Sequence, residues 1–237
     1  MREQTIDLSH VRVMLGMPVN ANIPPQTVLS LIDTINFFNE KSILHSLRFV
    51  LGCSIVEQAR SIVCHNFLRS NATHLFMLDS DMVWAREDAM TLVALATRLH
   101  CVGAIYPVKK DPPTWFVSAP EAMTMNEYNC LPVKGMGLGC TVIQRNIVEL
   151  LAEKAPKLRF IGYDEPVAHL FHTSQEDGDF VGEDIAFFKD VCKLGYQPWL
   201  CPRIDVGHVG QKEYRASFMA AIADRRVKAV REEAVHE

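Results

Sequence analysis

Two kinds of apolar segment alternate along the first half of the chain. Short continuous runs of Val, Leu, Ile, Met and Phe, as buried strands require, occupy 11–19, 43–51, 73–78 and 101–106. Between them apolar positions recur at helical spacing. Val28, Leu31, Ile32, Ile35 and Phe38 mark a helix over 26–39, and Ile55, Ala59, Ile62, Val63 and Phe67 mark one over 55–68. A third helix is expected over 87–99, and 20–25 reads as a loop. Strands alternating with helices build parallel βαβ units, so the pattern predicts an α/β/α sandwich around a mostly parallel sheet.

The alternation breaks after Pro107. A loop is expected at 109–113, and the strand candidates at 115–117 and 138–144 are not regularly spaced by helices. Helical spacing returns at 185–194, where Gly195 stops it, and an apolar strand-like stretch follows at 199–206. The last helix is expected over 214–231. Its Arg215, Arg225, Arg226, Lys228 and Arg231 are spread around the axis among Asp224, Glu232 and Glu233, which suits a solvated helix. With no repeat, low-complexity tract or linker, the whole of 1–237 is expected to be one domain, with functional halves at 1–107 and 108–237.

Composition adds limits. A hydrophobic fraction of 49% can supply a core, and a net charge of −4 gives no general grip on nucleic acid or anionic membrane. No apolar run reaches the ~20 residues of a membrane span, and 1–7 lacks the apolar centre of a secretory signal. The seven cysteines form no C-x-x-C pair and lie mostly among apolar neighbours, so structural zinc and a disulfide framework are not expected. A reduced, cytoplasmic protein is the expectation.

The chemistry concentrates at Asp79-Ser80-Asp81, which closes the run Thr73-His74-Leu75-Phe76-Met77-Leu78. Open α/β sheets bind ligands outside the carboxyl ends of their strands. Two carboxylates there repel unless a cation lies between or beside them, and oxygen ligands suit Mg²⁺ or Mn²⁺, which in turn suit a diphosphate. An acidic pair also closes ordinary solvated turns, but here Met82-Val83-Trp84 continues the apolar run.

Three further signals follow in order. Gly135-Met136-Gly137-Leu138-Gly139-Cys140 leads into the strand-like Thr141-Val142-Ile143. Gly182-Glu183-Asp184 opens the helix at 185. Gly207-His208-Val209-Gly210 follows the apolar stretch ending at Val206. Each has a plain structural alternative: a bulge or turn for the glycines, first-turn acids complementing a helix dipole for Glu183 and Asp184, a loop histidine for His208.

In this order and context the motifs resemble the GT-A glycosyltransferases, which transfer a sugar from a nucleotide-sugar to an acceptor. The resemblance spans roughly 11–212 and includes Ala59-Arg60, with Ser61 where many members have Asn. It implies a GT-A-like, Rossmann-type α/β/α sandwich with a nucleotide-sugar and metal half at 1–107 and a mixed acceptor-side and catalytic half at 108–237. It implies a Mn²⁺ or Mg²⁺ site at Asp79, Asp81 and His208, with Asp81 the direct ligand and Asp79 touching ribose or a metal-bound water. Pro18, Arg60, Asp79, Ser80 and Lys212 would bind the donor, Lys212 through a tighter version of the His-x-x-Gly-x-x-Lys pattern of some retaining members.

By the same resemblance Asp184, with Glu183 beside it, would be the catalytic acid pair. Asp184 would act as base in an inverting enzyme and orient a sugar in a retaining one. Gly135, Gly137, Gly139 and Trp115 would line the sugar and acceptor pocket; Trp84, Tyr106 and Trp199 are stacking candidates or pocket wall. The donor is expected to be a nucleoside-diphosphate sugar, UDP by family frequency, and the acceptor a hydroxyl on a saccharide, a protein or a hydroxymethylated DNA base. Short members without an anchor resemble phage- or virus-encoded and bacterial cytosolic transferases.

Competing readings have specific obstacles. A sugar nucleotidyltransferase needs a glycine-rich loop and a basic residue after the first strand, which Gly16-Met17-Pro18-Val19-Asn20-Ala21-Asn22 does not provide. A haloacid-dehalogenase phosphatase needs Thr where Val83 stands. A binding module of the same fold without turnover is the non-enzymatic alternative.

Overall fold

The computed structural model describes residues 6–120 and 124–223. A seven-stranded sheet organises it, with strands β1 (Arg12–Val19), β2 (Leu44–Leu51), β3 (His74–Leu78), β4 (Cys101–Gly103), β5 (Leu131–Pro132), β6 (Cys140–Gln144) and β7 (Trp199–Leu200) in the order β2-β1-β3-β6-β4-β7-β5. β1 runs parallel to β2 and β3, and β4 parallel to β7. β6 lies antiparallel between β3 and β4, and β5 is antiparallel to β7. The sheet is mostly parallel, as the βαβ pattern requires, with a reversed strand at its centre.

The helices are α1 (Pro25–Glu40), α2 (Val56–Leu68), α3 (Arg86–Leu99), α4 (Arg145–Lys154), α5 (Glu183–Lys193) and α6 (Phe218–Ala223). Strand alternation sorts the core into two layers. Val13, Leu15, Met17, Phe76 and Leu78 face the layer containing Leu31 and Phe38 of α1 and Leu92, Val93 and Ala96 of α3. Met14, Leu75, Met77 and Ile143 face the opposite layer, with Ile62, Val63 and Phe67 of α2, Val148 of α4 and Phe187 of α5. Gly16 belongs to this second face, and a Cβ there would meet Val63 Cγ1 at 2.4 Å. The missing side chain lets α2 lie directly on β1.

The first half matches the sequence pattern to within a residue or two, apart from the strand expected at 101–106, which ends at Gly103. In the second half 115–117 is shifted to Val117–Ser118, 138–144 shortens to Cys140–Gln144, and 199–206 contains only Trp199–Leu200. Helix α4 was not expected: it begins directly after β6 with no turn residue between, so Ile147 and Val148 read as a continuation of the strand's apolar run. Gly195 ends α5 as expected, with φ +87° just beyond the last turn. The helix expected from 214 begins at Phe218, because Glu213–Tyr214 pairs as a strand with Gly207–Val209. Arg225, Arg226, Lys228 and Arg231 lie outside the described residues.

Helix α4 also secures α2. Arg145 donates to the carbonyls of Phe67, Leu68, Ser70 and Ala72, at and beyond the end of α2 where no helical N–H remains to satisfy them, and its guanidinium lies 4.7 Å from the Phe67 ring centroid. Arg145→Met should cost about 2 kcal/mol by leaving the carbonyls of Leu68, Ser70 and Ala72 unmet, Phe67 O being held by Ser70 as well, read as a lower urea midpoint at unchanged slope. An unchanged midpoint would mean that water serves the carbonyls equally well.

Candidate active site

The acidic pair stands at the carboxyl end of β3, and three elements converge on it. The first is α2. Its close seat on β1 brings Arg60, only 4% exposed, to Asp79, where Nη2 donates to both Oδ1 and Oδ2 at 2.9 Å. Nη1 donates to Glu183 Oε1 at 2.6 Å, across 123 residues of chain. Burial works against the guanidinium's charge, but Asp79 foremost, then Tyr106 and Glu183, raise its pKa further above the arginine range. Its Nε is buried without a hydrogen-bond partner among the described residues. Arg60 is therefore a buried side chain bound to these carboxylates, not a solvated arginine on a helix surface.

The second element is the N-terminus of α5. Gly182 takes the N-cap position with no side-chain cap, and Ile185 N–H donates to Asp184 Oδ1 at 2.8 Å. Burial pushes both Glu183 and Asp184 above the usual carboxylate range, while Arg60 pulls each part of the way back. First-turn acids do complement the helix dipole here. Dipole compensation alone does not account for burying them in a network with Asp79.

The third element is a small sheet. Gly207–Val209 pairs antiparallel with Met82–Val83, placing His208 opposite Met82, and Val209 N–H donates to Asp81 O at 2.8 Å. His208 Nε2 thereby lies 3.4 Å from Asp81 Oδ2. Its Nδ1 is 3.0 Å from Pro107 O, which can only accept, so Nδ1 carries a hydrogen and orients the ring. Lys109 Nζ contacts the same Asp81 Oδ2 at 2.5 Å. Burial disfavours ionised Asp81, but His208 and Lys109 outweigh it and hold the carboxyl below its usual range.

Tyr106 joins these parts. Its hydroxyl accepts from Gly139 N–H at 3.2 Å, its ring meets His208 edge-on at 5.1 Å, and burial, helped by Asp79, pushes its pKa well above the usual phenol value. The glycine run makes room for this packing. A Cβ at Gly139 would lie 2.5 Å from Asp79 Oδ2, one at Gly137 2.5 Å from the Tyr106 hydroxyl, and one at Gly135 2.9 Å from Ile185 Cδ1. Gly139 O also accepts from Asp79 N–H at 2.9 Å.

Asp79, Asp81, Arg60, Glu183, Asp184, His208 and Gly139 are thus brought together. Ser80 is partly exposed between the two acids, and Pro18 is partly exposed near the end of β1 on the same edge of the sheet. Lys212 contacts Asp111 at 2.6 Å and lies over the Tyr214 ring. Trp115 is buried, edge-on to Phe218 at 5.6 Å, and Trp84 is buried with Nε1 bonded to Thr34. Lys109 had no sequence signal beyond lying in a loop after a strand, and Tyr106 none beyond being aromatic. A cleft of about 370 Å³ beside the end of β2, lined by Phe49, Leu51, Ile55, Ile161 and Tyr163, includes none of the candidate residues.

GalNAc-T7, in a crystal structure with UDP, GalNAc and Mn²⁺, superposes with a TM-score of 0.51 at 12% identity, over 84% of this chain and 44% of that one. The fold is GT-A-like. The chain spans less than half the length of that relative. A UTP-bound UGPase from Acinetobacter baumannii gives 0.45 at 6% identity over 90% and 93% of the two chains, and an apo UDP-glucose pyrophosphorylase 0.43 at 11% over 91% and 82%. Both likenesses are too low to argue from. No protein-family profile and no curated protein matches the sequence. No helix of the described residues is long and apolar enough to cross a membrane.

Four carboxylates therefore face two permanent cations, Arg60 and Lys109, leaving an excess of negative charge. Among the described residues no group of three or more His, Cys, Asp or Glu side chains is arranged to hold a metal ion. Asp81 and His208 nevertheless provide an oxygen and a nitrogen on one point, a pair that fits Mn²⁺ when phosphate and water oxygens complete the shell.

Burial holds the Asp184 carboxyl above the usual carboxylate range in the folded chain. Folding favours its protonated form, so wild-type stability falls as pH rises from the unfolded pKa through the folded one. Asp184→Asn removes that cost. The variant should melt above wild type at about pH 7 and lose the advantage as pH falls below the unfolded carboxyl pKa. A variant that melts lower at neutral pH would show that the charge supports the fold.

Proposed function

We propose that the chain is a metal-dependent glycosyltransferase that moves a sugar from a nucleoside-diphosphate sugar, UDP-linked, to a hydroxyl acceptor. The observation that carries this reading is the Arg60 bridge between Asp79 and Glu183, which joins the acidic strand end to the start of α5 in one buried network. GalNAc-T7 was solved with UDP, GalNAc and Mn²⁺ in the fold this chain shares, which supports the donor class and the cation.

Asp81 and His208 would hold the cation, which when bound would neutralise charge on the diphosphate leaving group. Arg60 fixes the orientation of Asp79 by holding both of its carboxylate oxygens, and Tyr106, a neutral phenol, supports the wall between Asp79 and His208. Asp184 takes the proton of the acceptor hydroxyl as its oxygen bonds to the anomeric carbon and the bond from that carbon to the diphosphate breaks, as in an inverting transfer. Its raised pKa makes it a better base than an exposed aspartate. In a retaining transfer the same carboxylate would orient the sugar.

UDP should raise the melting temperature more with Mn²⁺ than with EDTA, and Asp81→Ala should abolish the difference. UDP stabilisation indifferent to EDTA would argue against the site. His208→Ala should weaken Mn²⁺ binding about 10-fold or more without unfolding the chain.

Asp184→Asn should lower transfer about 10²-fold or more while donor binding persists. A nearly intact rate would return Asp184 to a helix-terminal role. A smaller loss with altered donor affinity would favour sugar positioning and a retaining reaction.

A further inference from the structure

Asp81 Oδ2 is claimed twice. Lys109 Nζ contacts it at 2.5 Å, and the same oxygen faces His208 Nε2 at 3.4 Å, where the proposed cation would bind. A small divalent cation such as Mg²⁺ takes oxygen ligands at about 2.0–2.1 Å. An ammonium in contact with the same oxygen would then stand beside the ion as a like charge in a partly buried site. At Oδ2 the ammonium and the ion would compete for the same lone pairs.

The surroundings let the side chain exchange without moving the backbone. Lys109 is 37% exposed, on a flexible stem. Its loop is secured on both sides: Pro107 O accepts from His208 Nδ1, and Asp111 is paired with Lys212. Behind it, a Cβ on Gly210 would lie 3.0 Å from Lys109 Cδ, so the stem passes close over this glycine.

We propose that Lys109 competes with the divalent cation for Asp81 and so makes cation binding depend on the nucleoside diphosphate. The inference rests on the donor reading above. A diphosphate acts on both sides of the exchange: it offers oxygens to the cation and a second anion to the displaced ammonium. Nucleotide and cation are then thermodynamically linked, each tightening the other by the same factor, and Lys109 supplies part of that link.

Titrations of Mn²⁺, followed by the electron paramagnetic resonance of the free ion, with and without UDP, test this on wild type, Lys109→Met and Lys109→Arg. Lys109→Met should bind Mn²⁺ about 10-fold or more tighter than wild type in the absence of UDP, the scale of changes beside a metal ligand. The gain that UDP confers should shrink accordingly, while Lys109→Arg keeps the charge and stays near wild type. Lys109→Gln gives the same readout should methionine disturb the fold. If wild type binds Mn²⁺ with UDP but neither neutral variant is tighter without it, the competition is overturned and the donor reading stands. If wild type fails to bind Mn²⁺ even with UDP, the donor reading itself falls, and this inference with it.

Discussion

One buried guanidinium links the two ends of this site. Arg60 shares its two terminal nitrogens between Asp79, at the end of a strand, and Glu183, at the start of a helix far along the chain. A buried ion network of this kind gains little net stability, because desolvating the charges consumes most of the Coulomb attraction. What it does supply is geometry. Asp79 and Glu183 each have one low-energy arrangement, and Asp184, next to Glu183, is placed by the same constraint. The remaining acid, Asp81, depends on a separate set of partners, His208 and Lys109, and the two sets meet at Tyr106.

Within a chain of net charge −4 the site itself carries more carboxylates than permanent cations, so an anionic donor would need the proposed cation there. Overall charge says little about a site where Arg60, Lys109 and His208 come from three separate segments. Their distribution matters more: Arg60 is buried and committed to carboxylates, whereas the pair of Lys109 with Asp81 is reached by solvent, which weakens it.

The first half of the fold was legible because its strands are long, its helices amphipathic, and each connection is local. Asp79 and Asp81 could be singled out because carboxylates ending an apolar run are unusual. The second half was less legible for three physical reasons. Its sheet strands β5 and β7 are two residues long, too short to show a period. β6 enters the sheet reversed and passes into α4 without a turn. The contact of His208 with Asp81 depends on Met82–Val83 pairing with Gly207–Val209, a register that no local pattern encodes. The glycines at 137 and 139 read from sequence as allowing close backbone approach to a sugar; the close approach the structure shows is that of Tyr106 and Asp79, where a Cβ would stand. Lys109 could not be found from sequence at all, since its partner lies on another loop.

Gly16 lies on the strand beside β3, inside the sheet, against Val63, Leu75 and Met14 and away from the candidate site residues. Yet the hydrogen it presents to Val63 sets the depth at which α2 rests on the sheet, and Arg60 is one helical turn from Val63 on the same helix. The reach of the guanidinium to Asp79 is therefore fixed by a van der Waals contact between a backbone and a methyl group. Chemistry at the sheet edge inherits its tolerance from packing beneath it: a helix displaced by the thickness of one methyl group would stretch charged hydrogen bonds that have only a few tenths of an ångström to give. In this sense the spacing of the charges is a property of the hydrophobic core.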